Sequence, residues 1–451
     1  MMSIMNLKRT ALLILFYCIL PTMVIAAEDA SSAVAGCAAL RNPDAYGEKY
    51  RSYVHLVAGK DEWVFRSNKD FKQKFKFDDR NARLYRDFAR ALKTRGTTLV
   101  LSVIPTRGIV AHEKLLFDDE LTKNYDPIAA KASYDTMIAR LNRHGVLTVG
   151  TSAPKIGADY FNRADQHWSP KGAQEMAQDI AALIKKPDLW NDVPEKGYET
   201  TIGKEIRFDA RYSEIVEKLC GFDLPQEKYN EPTTALAEGE EKGEAKIVLV
   251  GTSNSKRDEF GSNFGGFLRE ALSADVYNAA ISGGGMDDSI LNYLDSKSYQ
   301  DNPPAFLIWE VPVYYNLGGE GMEDTLRQGI GRVYGYCVDP LVEFAAQKAD
   351  GKKLYLMKDI DDRKIRVSSA YLAIEFSKAV NKNFSVFFKN TDNLTYDFKF
   401  QKRREGSSNM FFYLPEGKER AFLKHIALKK SKNIKGLTVK ARLCPMPKAV
   451  H

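Results

Sequence analysis

Four consecutive apolar residues, Ile247–Val250, run directly into Gly251, Thr252 and Ser253. A short apolar run closed by turn residues predicts a strand buried on both faces. Such a strand belongs in the middle of an α/β sheet, so the rest of the chain must supply neighbouring strands and covering helices. Ser253 then falls at the strand's C-terminal tip, where the loops of α/β sheets converge on ligands. Placed there, its hydroxyl can act as a nucleophile once a histidine is brought to it. A plain strand-to-helix turn with a serine cap would look the same locally, so the decision rests on the flanking sequence.

The flanks alternate as required. Trp63–Phe65 reads as a short strand, Ala82–Lys93 as a helix through Leu84, Phe88 and Leu92, and Thr97–Ile104 as an apolar strand ending at Pro105. Ala129–Leu141 reads as helix and Val146–Val149 as strand. Beyond Ser253, the pattern gives a helix over Asn263–Leu272, a strand over Ala274–Tyr277, and a buried strand over Pro304–Val313 that ends in Tyr314 and Tyr315. From Asn191 to Glu244 the periodic signal fades, and Thr233–Glu244 reads as a charged loop. After Cys337 the texture changes to short β-type runs: Leu354–Leu356, Tyr371–Phe376, Phe384–Phe388, Tyr396–Phe400, Phe411–Leu414 and Leu437–Ala441. Regularly spaced short strands with little helix predict a β-sandwich, with the boundary between Cys337 and Gly351.

The N-terminus has the layout of a secretory signal. Lys8 and Arg9 precede the apolar stretch Ala11–Leu20, and the small residues Ala26 and Ala27 follow. The stretch is broken by Pro21 and is short for a membrane span, so the expectation is an exported chain that is not membrane-embedded. Glu28–Ala35 is small and polar, and reads as a disordered lead-in. Loss of the signal removes Cys18 and leaves Cys37, Cys220, Cys337 and Cys444. Four cysteines in an oxidising compartment suggest two disulfides, with three connectivities open. A Cys337–Cys444 bond would close the last quarter of the chain, and Cys37 with Cys220 would tie the mature N-terminus to the larger domain. The thiols are too scattered for a zinc site.

The formal net charge of +7 hides an asymmetry. Residues 346–451 carry 24 Lys and Arg against 10 Asp and Glu, which leaves 42 against 49 for the remainder. An acidic body thus bears a segment of net charge +14. An excess that lopsided is suited to a polyanion. Export argues against nucleic acid and leaves an anionic polysaccharide or a membrane surface.

Two further stretches carry chemistry. In RADQHWSP, Ser169 is a good N-cap and Pro170 a good first helical residue, for a helix whose apolar face runs through Ala173, Met176, Ile180 and Ile184. Asp165 and His167 then lie on the loop before it. Two residues apart on an extended loop, they point the same way, so the carboxylate can fix the imidazole tautomer and support the imidazolium. Of the other five histidines only His112 has an acidic residue so near, and Glu113, adjacent in sequence, would point away from it. NAAISGGGMDD, residues 278–288, places three glycines on a strand-to-helix turn, where backbone N–H groups can approach a ligand closely.

Taken together, GTSNS, NAAISGGG, the strand ending WEVPVYYNL and DQHW resemble the signature blocks of the SGNH (GDSL-type) hydrolases. The Asp–His block precedes the serine, the reverse of the usual order, which implies a circularly permuted α/β/α domain. The third-block asparagine, a usual oxyanion donor, is missing, and Trp309, Glu310 and the two tyrosines stand near its place. Both departures are similar to those of the periplasmic alginate O-acetyltransferases, the AlgX and AlgJ group. The C-terminal β-sandwich places the resemblance with the AlgX type. It implies a signal peptide over residues 1–27, a catalytic domain over 28–340, a carbohydrate-binding module over 341–451, and two disulfides.

The resemblance implies that Ser253 is the nucleophile, His167 the general base and Asp165 the group that orients it. The amides of Ser253 and Gly283 would hold the oxyanion, helped by Tyr314 or Tyr315. An acetyl-serine forms, and a sugar hydroxyl then takes the acetyl group; no cofactor or metal is called for. On the basic module, Lys389, Lys399, Lys402, Arg403 and Arg404 are the candidates to pair with the carboxylates of alginate, with Phe388 or Phe400 as a stacking surface. The expected partners are that polymer and other periplasmic polysaccharide-modification and export proteins, and the expected state is a monomer. An acetyl esterase of the same fold and a polymer-binding scaffold are the rival readings.

Overall fold

The computed structural model describes residues 27–256, 261–404, 407–418 and 420–447. The expected signal segment, with Lys8, Arg9 and Cys18, lies outside the described residues apart from Ala27. In chain order the first strands are β1 (Leu56–Ala58) and β2 (Val64–Arg66), a short hairpin, followed by β3 (Thr98–Ile104) and β4 (Leu147–Val149). A long hairpin of β5 (Tyr198–Phe208) and β6 (Glu227–Leu236) precedes β7 (Ile247–Val250), β8 (Val276–Asn278) and β9 (Phe306–Pro312). Strands β3, β4, β7, β8 and β9 form one parallel sheet in the order β4-β3-β9-β7-β8. Every residue of β7 and β9 is buried, which is why their sequences are apolar without alternation, with Glu310 in β9 the exception.

The helices that cover the sheet begin where their caps predict. Asp78 closes a capping box with Asn81 ahead of the Asp79–Lys93 helix. Ser169 accepts from the Gly172 N–H with Pro170 in the first turn, and Ala173, Met176, Ile180 and Ile184 all enter the core. No described helix is long and apolar enough to cross a membrane.

Two expectations are overturned here. Residues 28–35 are helical, within Ala27–Gly36, because Ala30 and Val34, one turn apart, are buried against Leu40, Leu56 and Ile215. The segment 191–244 holds the long hairpin, and its supposed loop from Thr233 is strand as far as Leu236. Between the hairpin strands, the Arg211–Cys220 helix is fixed by the Cys37–Cys220 disulfide. The second disulfide is Cys337–Cys444, which settles the pairing among the three possibilities.

The C-terminal strands are β10 (Val342–Lys348), β11 (Leu354–Met357), β12 (Ala370–Val380), β13 (Phe384–Asn390), β14 (Thr395–Phe400), β15 (Ser408–Tyr413), β16 (Leu423–Leu428) and β17 (Thr438–Pro445). They form two antiparallel sheets, β10-β17-β12-β15 and β11-β16-β13-β14, around one apolar core. This sandwich does not hang free. Tyr371, Ala373, Phe412 and Leu414 join the core of the α/β region, and Phe412 lies so close to Gly331 that a Cβ there would sit 2.6 Å from its own. Tyr413 donates to Asp324 across the same contact, and burial pushes the Asp324 carboxyl up to about 6.

Candidate active site

The turn after β7 is shaped by a carboxylate beneath it. Glu310, near the end of β9, is fully buried, and its Oε2 accepts from the Thr252 N–H at 2.7 Å, the Thr252 hydroxyl at 3.0 Å and the Ser255 hydroxyl at 3.0 Å. A side chain at position 251 would collide with it, since a Cβ there would lie 2.6 Å from Oε2; hence glycine. Thr252 Oγ1 in turn accepts from the Asn254 N–H at 3.2 Å. The GTSNS sequence is thus a set of groups folded over Glu310, with Ser253 left on the outside of the turn at the C-terminal edge of the sheet. Burial pushes the Glu310 carboxyl up to about 6, against the opposing pull of these hydrogen bonds.

The DQHW loop is built to meet that turn. Asn162 clasps it by donating from Nδ2 to the carbonyls of His167 and Trp168. The Trp168 indole N–H donates to the Asn254 carbonyl at 3.1 Å, linking the two loops directly. Below, the buried Arg107 donates to the carbonyls of Val64, Asn162 and Arg163 and pairs with Asp70 at 3.1 Å. Burial raises the Asp70 carboxyl and the Arg107 charge opposes the shift.

On this frame His167 Nε2 stands 2.8 Å from Ser253 Oγ, and His167 Nδ1 meets Asp165 Oδ1. Asp165 Oδ1 also accepts the His167 N–H at 3.0 Å, and its Oδ2 accepts the Arg211 N–H at 2.8 Å. Arg211 is the first residue of the Arg211–Cys220 helix, so Asp165 lies at the positive end of that helix dipole. The three groups can relay a proton from hydroxyl to imidazole with the charge supported from behind.

The remaining candidates divide. Gly283 adopts a left-handed backbone (φ +73°) on a turn bonded to the serine turn, through Ile281 N–H to the Gly251 carbonyl at 3.1 Å and Asn278 Nδ2 to the Ser255 carbonyl at 2.8 Å. Tyr314 is buried and Tyr315 half-buried beyond β9, their rings 4.9 Å apart, with Lys69 Nζ 4.0 and 4.7 Å from the two centroids. Burial, with the charges of Arg66 and Lys72, lowers Lys69 to about 7, and burial pushes Tyr315 up to about 12, so Tyr315 stays a proton donor at neutral pH. Arg66, whose guanidinium donates to Gln166 at 2.9 Å, adds a cation beside the histidine loop.

Three binding candidates are corrected. Phe388 points into the sandwich core, stacked on Tyr396, and Phe400 is buried likewise; in β13 the outward parity belongs to Ser385, Phe387 and Lys389. Arg403 is an internal tether, bonded to Asp295 at 2.8 Å and Asn292 at 2.6 Å. Lys399 shares the outward face with Lys389, and Lys402 is exposed just past β14. Phe387, missed in the sequence, carries Lys353 Nζ 3.9 Å over its ring.

A parallel sheet whose edge brings Ser253, His167 and Asp165 together defines an SGNH hydrolase-like protein. More particularly, the chain belongs to the family described as "SGNH hydrolase-like domain, acetyltransferase AlgX", whose model matches residues 56–313. It is 32% identical over 295 residues to the alginate biosynthesis protein AlgX of Pseudomonas syringae pv. tomato, covering 63% of this chain and 60% of that protein. It is 30% identical over 287 residues to the probable alginate O-acetylase AlgJ of Pseudomonas aeruginosa, covering 58% and 70%. The matched segment thus spans about three fifths of the AlgX relative's length. Among solved structures, Pseudomonas aeruginosa AlgX superposes with a TM-score of 0.74 at 25% identity, over 91% of this chain and 99% of that one.

Proposed function

We propose that this protein is a periplasmic O-acetyltransferase that places acetyl groups on hydroxyls of alginate, on its mannuronate residues. The observation that carries the reading is the 2.8 Å contact between His167 Nε2 and Ser253 Oγ, with Asp165 behind the ring. Ser253 attacks the acetyl carbonyl of a donor while His167 takes its proton and passes it to the departing group. The resulting acetyl-Ser253 is attacked by a sugar hydroxyl, whose proton goes to His167 and then to Ser253 as the ester leaves. The amides of Ser253 and Gly283 and the Tyr315 hydroxyl hold the oxyanion in both steps. Whether water or sugar accepts the acetyl group depends on which is held in place. The Arg66 guanidinium beside the histidine loop, and the net +14 of residues 346–451, favour a polyanionic acceptor over water. The relatives' names, which speak of alginate biosynthesis and alginate O-acetylation, support the same choice of polymer. In this reading residues 28–340 are the catalytic part and 341–451 the polymer-binding part of a monomer.

The test is mass spectrometry of mannuronate oligomers incubated with the protein and an acetyl donor surrogate. Acetylated oligomers are the expected product; release of acetate alone would sink the reading in favour of an esterase. A second measurement addresses the sandwich. Replacing Lys389, Lys399 and Lys402 together by alanine is expected to raise KM for long polymer about tenfold and for short oligomers much less, with a weaker salt dependence. Equal effects on both lengths would count against a polymer grip there. Substitution is the sounder route, because Phe412 and Leu414 belong to the α/β core and deletion of the sandwich would open it.

A further inference from the structure

Arg403 and Arg404 follow β14 and meet the catalytic region in different ways. Arg403 is clamped to Asn292 and Asp295, and the Arg404 backbone N–H donates to Asp288 Oδ2 at 2.5 Å, so both are pinned to the Asp288–Asp295 helix. Lys402 is fixed through its N–H to Asn383 Oδ1. The backbone of this loop is therefore held on both sides of the junction, while the Arg404 side chain extends across it. Its guanidinium lies flat over Gly283: a Cβ there would be 2.9 Å from Nη1, 3.0 Å from Cζ and 3.3 Å from Nε. Among the described residues it has no carboxylate partner, and the residue is exposed. A pinned loop that lays a fork of donors, with no carboxylate partner among the described residues, over the glycine turn beside Ser253 is arranged for a ligand rather than for stability, since Arg403 already supplies the tether.

We propose that Arg404 is an acceptor-positioning residue of the acyl-transfer site, and that its ligand is the carboxylate of the uronate being acetylated. Guanidinium and carboxylate match as a two-point hydrogen-bonded pair, which fixes orientation as well as distance. In a uronate the carboxylate and the ring hydroxyls sit on one rigid ring, so holding the first aims the second. The glycine turn is hydrogen-bonded to the serine turn, so a ring held at Arg404 is presented at the same sheet edge as Ser253. The sandwich thereby contributes to the choice of the reacting sugar, and not only to retention of the chain. This inference rests on the transferase reading above and adds the group that selects the acceptor.

The experiment compares mannuronate oligomers with the same oligomers reduced at their carboxyl groups, for the full chain, Arg404→Ala and Arg404→Lys. The readout is kcat and KM of transfer to each. The unsubstituted protein is expected to prefer the acidic oligomer. In Arg404→Ala that preference should fall about tenfold or more, chiefly through KM, with Arg404→Lys intermediate. An unchanged preference in Arg404→Ala would overturn the inference. So would equal losses on both acceptors, which would make Arg404 a clamp or an oxyanion donor. Failure of the unsubstituted protein to acetylate either oligomer would instead sink the transferase reading itself.

Discussion

Replacing Ser253 with alanine is expected to abolish acetyl transfer, by about four orders of magnitude or more, while leaving the fold in place. The size follows from covalent chemistry: without the oxygen there is no acetyl-enzyme, and His167 has no attacking group to deprotonate. The lack of structural damage follows from the site's construction. The turn is held by Glu310, Thr252 and Ser255, and the two loops by Trp168 and Asn254; none of these bonds uses the Ser253 hydroxyl. A half-buried hydroxyl whose hydrogen bond is to the His167 ring should change stability by less than about 1 kcal/mol. Intact-protein mass spectrometry after exposure to an activated acetyl ester should find one added acetyl group on the unsubstituted chain and none on the variant, with matching thermal melts. An alanine variant that still transfers at full rate would remove Ser253 from the chemistry.

How far the sequence could carry this depended on whether a feature was local. The runs Ile247–Val250 and Pro304–Val313 announced central strands because both faces are covered, so no polar alternation dilutes the signal. The β5–β6 hairpin left no such trace. It projects with most side chains wet on both faces, so its polar residues read as loop. In β13 the adjacent Phe387 and Phe388 make the inward parity ambiguous, and only pairing with Tyr396 and Phe398 decides it. Within the site, Ser253, His167 and Asp165 stand in short motifs and were legible. Arg107 and the Arg211 N–H were not, because one is a lone arginine whose partners come from three distant carbonyls and the other is a main-chain group. Arg403 and Arg404 were legible only as charge; that one is a tether and the other reaches Gly283 is a property of the packed interface.

The second large effect is expected at Glu310. It occupies the stretch in which SGNH proteins carry an oxyanion asparagine, yet its carboxylate faces away from the reacting side, into the nucleophile turn. Glu310→Ala would leave the Thr252 N–H and the hydroxyls of Thr252 and Ser255 without their acceptor in a site closed to water. Each such group costs about 1–3 kcal/mol, so a total loss of about 3 kcal/mol or more in stability is expected. The turn would also resettle, and displacement of Ser253 by about 1 Å should lower kcat about a hundredfold. Glu310→Gln should do far less: its amide oxygen can replace Oε2, and its NH2 can donate to Thr252 Oγ1, which lies 3.1 Å from Oε1. The pair also separates by pH. Burial raises the folded carboxyl from 4.5 to about 6, so its favourable contribution is complete below pH 4.5 and is lost as pH rises through 6. That span amounts to about 2 kcal/mol, which glutamine lacks. Denaturant melts should therefore find Glu310→Gln gaining about 2 kcal/mol on the unsubstituted protein between pH 4 and pH 8. Equal damage from alanine and glutamine would mean that an amide cannot stand in for the carboxylate in holding the serine turn, and a stability difference flat in pH would mean that the Glu310 carboxyl titrates alike in the folded and unfolded chain.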